Sequence, residues 1–210
     1  MTAVLSRASA LSVYSCAFLV GSVLMGFEML GSRYLFPYFG GGIGTWASLI
    51  STVLCALAFG YFAGSAIVAQ YPTQRTIAVA ILNAAAYLAF VPATADSVME
   101  YILHTIGDGA PATLLASTAL LLVPLTLLGT FSPIAISLLT HATEQAGRVA
   151  GLVYGVSTIG NVFGTLLTTF TLIPAFGSRA ITYIFALTLA VCAVLLFLPS
   201  AKRSPRRQAG

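Results

Sequence analysis

The run ATLLASTALLLVPLTLLGTFSPIAISLL, residues 112–139, carries no charged side chain from end to end. A helix needs about 20 predominantly apolar residues to cross the hydrocarbon core of a bilayer, so this stretch reads as a membrane span with more than a turn to spare. A barrel strand would instead alternate apolar and polar residues in segments of about ten. Working outward from it, five further apolar runs at 11–32, 45–70, 76–94, 150–173 and 180–198 predict the rest of a bundle. Composition agrees: of 210 residues, 59% are apolar and 7% charged, where a soluble domain carries roughly 25% charged residues. The expectation is an all-α integral membrane protein, one six-helix transmembrane domain over residues 1–200 followed by a basic tail over 201–210. Arg7 precedes the first apolar run as in a signal peptide, but the run is long and no small-x-small site follows it, so it reads as an uncleaved span.

Basic residues orient the bundle. With the N-terminus in the cytoplasm, that side collects Arg7, Arg75, Arg148, Lys202, Arg203, Arg206 and Arg207, and the other side only Arg33 and Arg179. Positive charge favours the cytoplasmic side, which puts both termini there. The tail then reads as an anchor on anionic lipid, and no nucleic-acid partner is expected.

Composition excludes several chemistries. The sole lysine, Lys202, lies in the tail, so no span carries a Schiff-base lysine. His104 and His141 fall in loops, Cys16, Cys55 and Cys192 show no CxxC spacing, and no nucleotide-binding glycine loop or Ser/His/Asp set is present. No cofactor, metal or catalytic residue is expected, and the chain by itself does not read as an enzyme.

The polar residues inside the spans remain. Glu28 sits near the outer end of the first span, in the stretch Gly26-Phe27-Glu28-Met29-Leu30-Gly31-Ser32-Arg33. Ionisable residues in spans are expensive and face a partner or a pathway. Two readings stand: a proton or cation site, or a partner for Arg33, Arg179 or rim amides, the Arg33 pair requiring the helix to end or bend at Gly31. In the fifth span Tyr154, Ser157, Thr158, Asn161, Thr165, Thr168 and Thr169 form a polar side, either lining a route or tying helices together. Asp96, Glu100, His104 and Asp108 recur every four residues between spans three and four. They predict a short amphipathic surface helix whose polar face is either simply hydrated or collects cations. Trp46 and Tyr38 read as interface anchors.

Gly60–Gly64, Gly147–Gly151–Gly155 and Gly160–Gly164 repeat at four-residue spacing, the pattern that lets helix backbones approach closely in lipid. Pro124 and Pro133 predict kinks in span four. No convincing internal repeat relates the two halves.

Three stretches carry a resemblance. Glu28-Met29-Leu30-Gly31-Ser32-Arg33-Tyr34-Leu35-Phe36-Pro37-Tyr38-Phe39-Gly40 is followed by Thr45-Trp46-Ala47. Leu57-Ala58-Phe59-Gly60-Tyr61-Phe62-Ala63-Gly64 leads to Tyr71-Pro72. The third runs from Gly147-Arg148-Val149-Ala150-Gly151 through Tyr154, Ser157, Asn161 and Gly164 to Leu172-Ile173-Pro174-Ala175-Phe176-Gly177-Ser178-Arg179. Together they resemble the membrane domain of the bacterial fused MFS/spermidine synthase family across most of 15–198. Ala69-Gln70-Tyr71-Pro72 stands where that family usually has Asp-Arg. The resemblance implies a half-MFS-like bundle without the synthase-like domain, and so without aminopropyl transfer of its own. The bacterial family implies a bacterial inner membrane, and the leading reading is a half-transporter-like protein that moves a small, polyamine-like metabolite; six spans line a pathway poorly, which argues for a homodimer. The alternative is a membrane anchor or assembly subunit for a separately encoded cytoplasmic enzyme.

Overall fold

The computed structural model describes residues 7–140 and 145–197, with side chains from residue 10 onward. The side chain of Arg7, His141 and the tail at 201–210 lie outside the described residues. The elements are α1 (Arg7–Phe39), α2 (Ile43–Gln70), α3 (Gln74–Ile106), α4 (Ala110–Gly129), α5 (Phe131–Leu139) and α6 (Ala146–Leu167). A π-helical turn (Thr168–Leu172), the short α7 (Ile173–Ala175) and α8 (Ser178–Phe197) complete them. No strand occurs among the described residues. Six segments are long and apolar enough to cross a membrane: α1, α2, α3, α4 with α5, α6 through α7, and α8. Short turns join them, so the spans alternate in direction. One end of the bundle gathers Arg33, Asp96 and Arg179, and the opposite end Arg75 and Arg148.

Local chemistry sets where helices stop. Gly40 (φ 69°) and Gly107 (φ 95°) take backbone angles that side chains with a Cβ disfavour. Each amide closes the helix before it, Gly40 onto Phe36 O and Gly107 onto Leu103 O. Thr73 opens α3 by accepting from the Thr76 amide at 3.2 Å.

Two helices run further than the sequence predicts. α1 continues past Gly31 and Arg33 to Phe39, and α3 continues past residue 94 to Ile106. The separate amphipathic helix expected between spans three and four is therefore the last third of α3. Its polar residues keep the helical period of the span below them, and nothing interrupts the helix before Gly107. At 33 residues and about 1.5 Å per residue, α3 outreaches a hydrocarbon core of about 30 Å.

Proline breaks span four. Pro133 offers no N–H to the Gly129 carbonyl and its ring crowds that same group, so α4 ends at Gly129 and α5 starts at Phe131. Pro124 lies inside α4 without ending it. Pro174 likewise has no N–H for Phe170. There the helix absorbs the misfit in the π turn, whose end is marked by the Ile173 amide reaching back to Thr168 O.

The most extensive helix contacts are α2 with α4, α1 with α6, and α3 with α8, followed by α3 with α4 and α1 with α8. Exchanging the first span with the fourth, the second with the fifth and the third with the sixth maps this set onto itself. The glycines obey the same exchange. A Cβ on Gly160 would lie 2.1 Å from Phe18 O, and one on Gly164 2.0 Å from Ser22 O. On the other pair, a Cβ on Gly60 would lie 2.5 Å from Thr126 O and one on Gly64 2.9 Å from Thr130 O. Across the first contact stands Gly21, whose Cβ would meet Ser157 O at 2.4 Å; across the second stands Gly129, whose Cβ would meet Gly60 Cα at 3.2 Å. The two halves are thus related by where their glycines pack, a repeat that the letters alone do not display. Lipid supplies no hydrophobic drive between helices, so this close backbone packing holds the pairs together. Single hydrogen bonds add to it: Thr52 with Ser117 (3.2 Å) between α2 and α4, and Tyr34 with Thr182 (2.9 Å) between α1 and α8.

Candidate functional site

Glu28 is the acid within the bundle. It lies eleven residues before the end of α1, about 16 Å along the axis, because the helix runs on to Phe39. Its position is therefore deep within the span rather than near its outer end. The side chain is 7% exposed and makes no hydrogen bond or ion pair among the described residues. Leu24 and Leu35, one turn before and two turns after it on the same stripe, are buried. One turn later Gly31 marks what that stripe faces: its Cβ would meet Leu49 of α2 at 3.2 Å and Leu121 of α4 at 3.5 Å. The Arg33 pair is not formed. No bend occurs at Gly31, so five residues of continuous helix carry the two side chains to different faces. Gly31 admits Leu49 and Leu121 instead.

The polar side of α6 divides. Asn161, with its amide nitrogen toward α1, donates to Gly21 O at 2.9 Å and to Ser157 O at 3.3 Å. Ser157 faces the same glycine, its Oγ 3.1 Å from where a Gly21 Cβ would stand. Thr165 closes back onto Asn161 O at 2.9 Å. Only the Asn161 bond to Gly21 O crosses to α1; the Thr165 bond stays within α6. Tyr154, by contrast, is 44% exposed and sits on the outside of the bundle. Gly160 and Gly164 pack on α1, but Gly151 and Gly155, expected as packing glycines, have no atom within 4 Å of a built Cβ. The close backbone approach of α6 to α1 lies at Gly160 and Gly164, while its first half enters the core through Val153, which is fully buried.

The acidic stripe is also divided. Asp96 forms an ion pair with Arg179 of α8, binding span three to span six. Glu100 and His104 are exposed on α3, and Asp108 lies in the turn after Gly107. No group of three or more metal-ligating side chains occurs among the described residues.

Sequence reasoning placed Thr168 among the hydroxyls of span five and missed what sets it apart. It is fully buried in the π turn, and its hydroxyl has no hydrogen-bond partner. It faces Gly26 of α1, whose Cβ would come within 2.7 Å of it. The available signal was Pro174, six positions on, which forces the turn to widen.

Among the described residues, the Glu28 carboxyl and the Thr168 hydroxyl are unpartnered and lie on opposite sides of α1. Comparison with protein-family models, with curated proteins and with solved structures finds no match in any of the three.

Proposed function

We propose that the chain is a half-transporter-like membrane protein, similar to the membrane domain of the fused MFS/spermidine synthases, that moves a small cationic metabolite of the polyamine class. The observation that carries this reading is Glu28, buried deep in α1 with no partner. An ionised carboxylate buried without a partner is costly, so such a group is stable when it holds a proton or a cationic ligand. Competition between a proton and a cargo amine for the same oxygens is how one acid couples two fluxes. The exchange symmetry of the helix contacts supports the reading, since six-span units of this kind are built from inverted three-helix repeats with sites at the repeat interface. The count of basic residues in the sequence, with Arg7 and the tail added to Arg75 and Arg148, favours the cytoplasm for the Arg75 end, in a bacterial inner membrane. Asp96, Glu100 and Asp108 then stand outside, and a homodimer completes a pathway that six spans line poorly.

The test is labelled spermidine flux into proteoliposomes with and without a pH gradient, comparing the wild type with Glu28→Gln. Gradient-sensitive flux, lost in Glu28→Gln while the protein still inserts and elutes as before, is the expected result. A second reading, an anchor for a separately encoded cytoplasmic enzyme, draws on the exposed Arg148 beside the open Gly147 and Gly151. Correctly inserted protein with no flux, whose capture of a soluble enzyme fails on changing Arg148 but not Glu28, would favour that reading instead.

A further inference from the structure

A cavity of about 330 Å³ opens at the Arg33 end of the bundle, walled by Arg33, Tyr34 and Tyr38 of α1, Asp96 of α3, and Ser178 and Arg179 at the start of α8. Two guanidinium groups and one carboxylate face it. Asp96 and Arg179 satisfy each other in part. That contact uses one Arg179 nitrogen, and a guanidinium carries further N–H donors beyond it. Arg33 is exposed and has neither a hydrogen bond nor an ion pair among the described residues. The cavity therefore holds one unmatched positive charge and a set of unused donors. Its far wall is fixed, because Tyr34 is buried and its hydroxyl is engaged by Thr182 at 2.9 Å. Glu100, a turn beyond Asp96 and near Tyr38, stands at the rim and limits the charge the site can accept.

The geometry points to a phosphate-binding site here, in which Arg33 and Arg179 together grip one phosphate group. A planar guanidinium matches two phosphate oxygens at once, which an ammonium does not. Two arginines lining one cavity suit a tetrahedral oxyanion, and the volume admits a phosphate with a small substituent. The group comes either from a phospholipid headgroup or from a free phosphate compound. The last turns of α1, with Tyr34 and Tyr38, belong at the depth where headgroups and interfacial aromatic residues lie. The site is separate from Glu28 and does not depend on what that residue carries.

The experiment uses the full chain in detergent. Native mass spectrometry compares retention of phosphatidylglycerol with retention of a diacylglycerol bearing the same acyl chains, and thermal unfolding is followed with inorganic phosphate. Phosphatidylglycerol is expected to stay bound under activation that strips diacylglycerol. Arg33→Gln, at an exposed position, is expected to weaken its binding about tenfold or more while leaving the unfolding midpoint unchanged, and Arg33→Lys to restore part of it. A midpoint raised by inorganic phosphate, and raised less in Arg33→Gln, identifies a free phosphate compound as sufficient; lipid retention without that shift identifies the headgroup. Equal retention of the two lipids with no response to phosphate overturns the site. Phosphatidylglycerol retention unchanged in Arg33→Gln overturns it as well.

Discussion

One helix carries two glycine stripes of identical spacing and opposite fate. On α6, Gly160 and Gly164 are pressed so closely on α1 that an added methyl group would collide with the Phe18 and Ser22 carbonyls, whereas Gly151 and Gly155 meet nothing. The repeat in the sequence is the same. What differs is the opposing surface: α1 brings Gly21 and the backbone of Phe18 and Ser22 against Gly160 and Gly164, whereas in the first half of α6 it is Val153, not the glycines, that enters the core. A small-residue stripe marks a possible backbone contact, and only the neighbouring surface decides whether the contact exists. The α2–α4 contact makes the same point from the other side, since Gly60 and Gly64 find Gly129 and the break at Thr130.

The sharpest way to break this contrast is Gly164→Ala. Its Cβ would need 2.0 Å of space against a backbone oxygen that cannot swing aside, and overpacking of this kind costs about 3 kcal/mol. Thermal unfolding in detergent should show a large fall in midpoint or loss of the folded species. Gly60→Ala, with 2.5 Å to Thr126 O, should cost somewhat less in the same assay. If the two halves are equivalent in energy as well as in pairing, the two losses are of one order. Asn161→Leu comes next. It removes the bond to Gly21 O, and interhelical hydrogen bonds in membranes contribute about 0.6 kcal/mol on average, so a small but measurable loss is expected with the fold intact. Gly151→Ala is the control at the bottom of the scale. With open space around it and a helical backbone, alanine should hold or raise stability by about 0.5–1 kcal/mol. A loss as large as that of Gly164→Ala would mean that the stripe is covered in the protein as it exists in detergent.

The six spans were legible because long uncharged runs such as 112–139 permit little else. Their ends were not. Asp96, Glu100 and His104 look like a change of element, yet the spacing that places them on one face also lets α3 continue, and the helix stops only where Gly107 adopts a positive φ. The same error of boundary misplaced Glu28: Gly31 and Arg33 resemble a helix end, and the true end waits for Gly40. The residue stands out in the sequence as an acid within a span, but its depth, and the failure of the Arg33 pair, depended on helix continuity. Asn161 and Ser157 were visible as polar residues in a span. Their assignment to the α1 contact needed the position of Gly21. The relation between the halves was hidden because it resides in which carbonyls four glycines touch rather than in similar letters.

The π turn at Thr168–Leu172 has a consequence for how this part of the chain tolerates change. Each residue advances an α-helix by about 100°, so a turn holding one extra residue leaves everything after it rotated relative to everything before. Asn161 and Thr165 are phased to α1, and Ile173 to Ala175 are phased for the reversal into α8. Deleting one residue from the turn would keep every side-chain type and still point one of these two sets the wrong way. Substitutions there are a matter of fit, whereas insertions and deletions are a matter of phase, and the number of residues between Thr165 and Pro174 is the quantity the fold holds fixed.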